Sequence, residues 1–211
     1  SGKYHNDLNS RDTLATELNV LENFDPKIPE SAKGAEVLLL GNLHPAVQLA
    51  VLDRMEKRPQ LVILDTMNFW MDLTWDLLLE VIAKTDVITI NDEEARQLSG
   101  EYSLVKAAQK IHDMGPEFVI IKKGEHGALL FNDGKIFAIP ALPLEEVFDP
   151  TGAGDTFAGG FAAYLTKKQE FTFEEMKSAL IVGSAMASFT VEKFGTQRLE
   201  EVTEAEMIGR I

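Results

Sequence analysis

Apolar residues along this chain fall into short continuous runs separated by segments with helical spacing, not into the alternation of a half-solvated sheet. The runs "EVLLLGNL" (36–43), "LVILD" (61–65), "VITI" (87–90) and "FVIIKK" (118–123) predict strands buried on both faces. Between them lie helical segments: "PAVQLAVLDRMEK", opened by Pro45; "TWDLLLEVIAK" (74–84); "NDEEARQLS"; and a segment over 104–114. Asn91 stands where it can cap the third of these, with Glu94 at its capping-box position. Repeated strand–helix alternation predicts an α/β fold, a doubly wound and mainly parallel sheet with helices on both faces. "GALLFN" and "KIFAIP" then flank Asp133-Gly134, a strong hairpin signal. Two helices end the chain, one over about 153–167 and one from Thr172 onward. The first 33 residues are polar and show no helical stripe. A doubly wound domain ordinarily opens on a strand, so this chain is expected to begin part-way through a fold.

Composition narrows the classes. The 211 residues, 45% hydrophobic and 26% charged, suit one sizeable globular domain. No apolar run approaches the roughly 18 residues that span a membrane. With no cysteine, disulfides, thiolate metal sites and a cysteine nucleophile are excluded, and a reducing cytoplasm is the expected location. The formal charge of −14 disfavours nucleic acid as a partner. A phosphorylated ligand would need local positive potential from a helix N-terminus, a lysine or a bound cation.

The stretch "FDPTGAGDTFAGGF" (148–161) supplies one such place. Phe157, Phe161, Tyr164 and Leu165 form the stripe of a buried helix, and Gly152 and Gly154 stand at its start. Glycine there lets backbone N–H groups approach an anion closely, and the helix dipole favours it. Asp155, next in the chain, could accept a proton from a hydroxyl attacking a phosphoryl group held by the same turn. The plainer reading is a tight turn followed by an acid that favours helix starts. A dinucleotide fingerprint fails on spacing, because Phe157 stands where its third glycine belongs, and no Gly-Lys-Ser/Thr tripeptide of a P-loop occurs.

"DPTGAGDTFAGGF" resembles the C-terminal signature of the PfkB/ribokinase family of carbohydrate and nucleoside kinases, D-T-x-G-A-G-D. "NDEEA" resembles the family's N-x-x-E motif, "IIKKGEHGALL" its T-x-G-x-x-G nucleotide segment, and "DTMNFW" its D-x-N strand end. "TVEKFGT" sits at the place of its cation loop. These occur in the family's order and span nearly all of the chain. The resemblance implies a ribokinase-like fold and an ATP-dependent kinase acting on a sugar or nucleoside hydroxyl.

Residue by residue, the resemblance implies Asp155 as the general base and the N–H groups of Gly152, Ala153 and Gly154 as the anion hole. Asn91 and Glu94 would hold the Mg²⁺–phosphate assembly through water; their spacing alone reads as a plain helix cap. Lys122, Gly124 and Gly127 would line the nucleotide phosphates and ribose, with Lys122 where the family often has threonine. Ser184 would lie beside the adenine. Asp149 and Thr151 match residues that bind a monovalent cation, K⁺ by expectation, with carbonyls near Thr190, Lys193 and Gly195 completing the site. Pro150 and the departure of "VEKFGT" from the usual pattern leave the cation requirement open. His5, His44, His112 and His126 lack metal spacing, and Trp70 and Trp75 read as packing or cleft-wall residues.

The family's opening strand with a substrate-binding aspartate, its Gly-Gly segment and its small β lid are not matched. Residues 1–33 are read as a remnant of the lid and substrate region, and 34–211 as the nucleotide-binding and catalytic α/β domain. A sheet lacking its first strands is expected to show an unpaired edge or an apolar face near "EVLLLGNL" and "LVILD". The competing readings are a nucleotide-binding fragment without catalysis and an adenosine-type nucleoside kinase. A homodimer is a further expectation, and no membrane partner is expected.

Overall fold

The central strands are apolar along most of their length because both of their faces are covered. The computed structural model describes the backbone of residues 2–4 and 11–13 and all of residues 17–211. Strands β1 (Gly2–Tyr4) and β2 (Arg11–Thr13) pair antiparallel in a sheet of their own. The main sheet contains β3 (Val37–Leu40), β4 (Leu61–Asp65), β5 (Val87–Asn91), β6 (Phe118–Lys122), β7 (Ala128–Asn132) and β8 (Lys135–Ile139), side by side in that order. The first four run parallel, and β6 to β8 are joined antiparallel. The β7–β8 turn is the expected one, with Asp133 and Gly134 both at positive φ.

Helices cover both faces, but by different routes. α1 (Pro45–Asp53), α2 (Asn68–Leu73), α3 (Trp75–Ile82), α4 (Asp92–Ser99) and α5 (Leu104–His112) lie in the parallel crossovers. Strands added always in one direction, with connections of one hand, place all these helices on one face. Leu49, Trp70, Leu78, Leu98 and Ile111 accordingly pack in one cluster with Val62, Leu64, Ile88, Ile90 and Ile121. The opposite face is covered by α6 (Ala153–Lys168) and α7 (Phe173–Thr190), whose Phe157, Phe161, Leu165 and Leu180 pack on Leu61, Ile63, Val87 and Ile120. A last short helix, α8 (Glu204–Gly209), was not expected from the sequence.

The two long helices touch closely because small residues face each other. A Cβ on Gly183 would stand 2.8 Å from the Phe157 carbonyl oxygen, and one on Gly160 would meet Met186. Among the described residues, β3 forms one edge of the main sheet, as expected. β4 does not; all five of its residues are buried between β3 and β5.

Candidate active site

Parallel strands bring their carboxyl ends to one rim, where ligands of open α/β sheets bind. Three consecutive strands here end in polar residues: Asp65 on β4, Thr89 near the end of β5 and Lys122 on β6. By strand alternation they share the side of Leu61, Ile63, Val87 and Ile120, under the start of α6. Asp65 Oδ1 accepts hydrogen bonds from Thr89 Oγ1 at 2.9 Å and from Lys122 Nζ at 2.8 Å. Asp65 is 7% exposed and Thr89 fully buried, so this ion pair is held largely out of water.

The glycine turn lies directly above. Gly152 caps α6 at φ 85°, a left-handed conformation that glycine adopts without a side-chain clash. Gly154 has a different reason to be glycine: an added Cβ would stand 3.2 Å from Lys122 Nζ. Its side-chain space is taken by a cation. The N–H of Thr156 bonds the Gly152 carbonyl and that of Ala153 the Pro150 carbonyl. Asp155, in the first turn of α6, is exposed to the cavity yet crowded by protein. Desolvation raises its carboxyl pKa above the ordinary aspartate value, the negative charge of Asp65 adds to this, and Lys122 opposes it.

A cavity of about 1390 Å³ opens over the turn and gathers most of the sequence-predicted site residues. Asn91, Glu94, Lys122, Gly124, Gly127, Gly152, Ala153, Gly154, Asp155 and Ser184 all line it. Asn68 and Phe69 of α2 extend it past the end of β4, a helix that sequence reading passed over as part of a strand end. A smaller hollow beside Asp25 and Arg54 is occupied by an ion pair between those two residues.

Asn91 and Glu94 form the full capping box of α4. Asn91 Oδ1 accepts from the Glu94 N–H at 2.8 Å, and Glu94 Oε2 accepts from the Asn91 N–H at 2.7 Å. Among the described residues no group of three or more His, Asp or Glu is arranged to hold a metal ion. Asp149 and Thr151 do not line the cavity floor with these groups. They sit against the end of α7, where the Val191 carbonyl accepts from the N–H groups of Phe148 and Asp149, and Asp149 Oδ1 accepts from the Thr151 N–H. The two segments expected to share a monovalent cation are thus adjacent.

His44 caps α1 and lies edge-on to Trp70, and the His112 ring contacts the Pro116 carbonyl. His5 lies outside the described residues. Trp70 is buried, its Nε1–H donating to Asn42 Oδ1, while Trp75 is partly exposed. Sequence reading matched Asp65 only as the first residue of the D-x-N strand end, with no contact assigned to it, and passed over Thr89. The available signal was a polar residue near the end of successive buried strands.

Comparison with known proteins agrees with this fold. The chain is 37% identical over 139 residues to a cytidine kinase of Thermococcus kodakarensis, a match covering 64% of this chain and 50% of the relative. It is 37% identical over 123 residues to a ribokinase of Haemophilus influenzae, covering 56% of this chain and 38% of the relative. The chain thus matches half or less of the length of these relatives. Its fold superposes on Arabidopsis thaliana ribokinase, solved in complex with ribose and ATP, with a TM-score of 0.69 and 25% identity, covering 86% of this chain and 57% of that one. Among the described residues no helix is long and apolar enough to cross a membrane. The family model described as pfkB family carbohydrate kinase matches residues 9–203, and the chain belongs to that family.

Proposed function

We propose that the protein containing this chain transfers the γ-phosphoryl group of ATP to a hydroxyl of a sugar or nucleoside. The observation that carries this reading is Asp155: a carboxylate open to the cavity, raised in pKa, one residue beyond a glycine turn at a helix N-terminus. In the step, the acceptor hydroxyl gives its proton to the Asp155 carboxylate as its oxygen attacks the γ-phosphorus. The bond from that phosphorus to the β-phosphate oxygen breaks, and ADP leaves. The transferring group carries its charge on equatorial oxygens, and the N–H groups of Gly152 and Gly154 at the start of α6, joined by that of Ala153 when it exchanges its bond to the Pro150 carbonyl for the anion, would stabilise it.

Lys122, Gly124 and Gly127 then line the nucleotide phosphates and ribose, and Ser184 on α7 lies beside the base. Mg²⁺ would neutralise phosphate charge when bound, and Asn91 and Glu94 would hold it through water. Asp149 and Thr151, with carbonyls of the segment after α7, would hold K⁺. The names of the relatives divide between a nucleoside kinase and a sugar kinase, so the acceptor is taken from those two classes.

A second reading is favoured by one observation, the match to only half or less of each relative: these residues alone bind nucleotide and lack the groups that position an acceptor. A coupled ADP-release assay over a panel of sugars and nucleosides separates the two. ADP formation that requires one of the acceptors supports the kinase. Nucleotide binding without acceptor-dependent ADP release, in the full protein as well as in this chain, overturns it.

A further inference from the structure

The Asp65–Lys122 pair has no evident structural need. A largely buried ion pair is weak support for a fold, since apolar residues of similar size serve a sheet end equally well. Asp65 also binds unevenly: among the described residues its two side-chain donors, Thr89 and Lys122, converge on Oδ1. What this arrangement accomplishes is placement. A lysine side chain otherwise samples many rotamers and carries its ammonium into water. Here the ammonium is drawn back to the rim of the sheet and set against Gly154, 3.2 Å from where a Cβ would stand. One of its three N–H groups goes to Asp65, leaving donors for an anion at the same turn.

We propose that Asp65, assisted by Thr89, is a positioning residue for phosphoryl transfer, pinning the Lys122 ammonium beneath the glycine turn so that, of the nucleotide phosphates, it meets chiefly the transferring γ-phosphoryl group. The proposal rests on the kinase reading above and adds to it a division of labour. The turn's N–H groups and the lysine form one anion hole, with the lysine as its only full charge among these groups. Asp65 acts through Lys122 and touches no substrate. Register puts the three residues in place: Asp65 pairs with Thr89 across β4 and β5, and Lys122 pairs with Asn91, two residues further along β5.

The test is calorimetric titration of the protein with Mg²⁺-ADP and with the non-hydrolysable Mg²⁺-AMPPNP. Lys122→Met is expected to weaken AMPPNP at least about tenfold and ADP less than about threefold, as for loss of one charge-assisted contact to the γ-phosphate. Asp65→Asn should show the same selectivity at smaller size, and the double variant should be no weaker than Lys122→Met alone, because Asp65 works through the lysine. Lys122→Arg should recover part of the AMPPNP affinity. Should Asp65→Asn fail to fold, Thr89→Val, which removes one of the two bonds to Asp65, is read in its place. Equal losses for the two nucleotides, or additive losses in the double variant, overturn the proposal while leaving the kinase reading intact. A wild-type protein that binds neither nucleotide overturns both.

Discussion

Beside the end of α7, Glu192 accepts hydrogen bonds from Arg198 and Arg210, and Glu206 accepts from Arg198 and from Thr203. At the glycine turn, by contrast, no hydrogen bond from the described residues supports the Asp155 carboxylate. The consequences run in opposite directions. Burial pushes Glu192 up, but the hydrogen bonds and charges of Arg210 and Arg198 outweigh it and hold it below the ordinary glutamate value. Arg198 first, then the Thr203 backbone and hydroxyl, bring Glu206 down to about 2. Asp155 is pushed up, by desolvation first and by the nearby Asp65 second. One cluster has its acceptors filled by protein donors and reads as a structural clasp, closed further by Arg210 over the Phe189 ring at 3.6 Å. The other leaves a carboxylate facing a cavity with its proton affinity enhanced, which is what a general base requires.

Breaking the unfilled acceptor should have the largest effect. Asp155→Asn keeps the shape of the turn but cannot take a proton, so turnover is expected to fall roughly 10²–10⁴-fold with nucleotide affinity retained. Its folded-state pKa is raised, so the ionised carboxylate disfavours the fold at pH values above its ordinary range. The variant should therefore melt no lower than wild type near neutral pH, and calorimetry checks this alongside kinetics. Near-wild-type turnover would remove Asp155 from the mechanism.

Next in size is Gly154→Val, which would drive a branched side chain toward Lys122 Nζ and the anion's approach. ATP affinity should drop about tenfold or more. Unchanged affinity would make the turn purely structural. The smallest effect is expected in the clasp. Arg210→Ala loses bonds to Ser188 and Glu192 and the Phe189 contact, and should lower the melting temperature by about 2–4 °C, on the order of 1 kcal/mol for a domain of this size. Nucleotide affinity should stay within about threefold of wild type. Because Glu192 and Glu206 are depressed, the stability they contribute is present above the ordinary glutamate range and is lost as pH falls through it toward their folded values.

The same contrast marks what could be read from the chain alone. The buried strands were legible because β4 to β6 are apolar on both faces, and the α4 cap because Asn91 and Glu94 are three residues apart. The turn before α6 was legible because Gly152, Gly154 and Asp155 are neighbours. What required coordinates is what depends on distant pairing. Lys122 meets Asp65 across 57 positions only through the register of three strands, and neither residue's own neighbourhood announces it. The close crossing of α6 on α7 rests on Gly160 and Gly183, whose contacts depend on which helix each one meets. α8 was missed because six residues with no buried side chain carry little periodic signal.

Carboxyl carbon NMR titration of protein labelled at Asp and Glu would compare the two clusters in one experiment, with Asp155→Asn and Glu206→Gln supplying the assignments. Asp155 is expected to titrate above the ordinary aspartate range, and Glu206 near 2. An Asp155 midpoint at or below the ordinary aspartate value would contradict the picture of a carboxylate poised as the base.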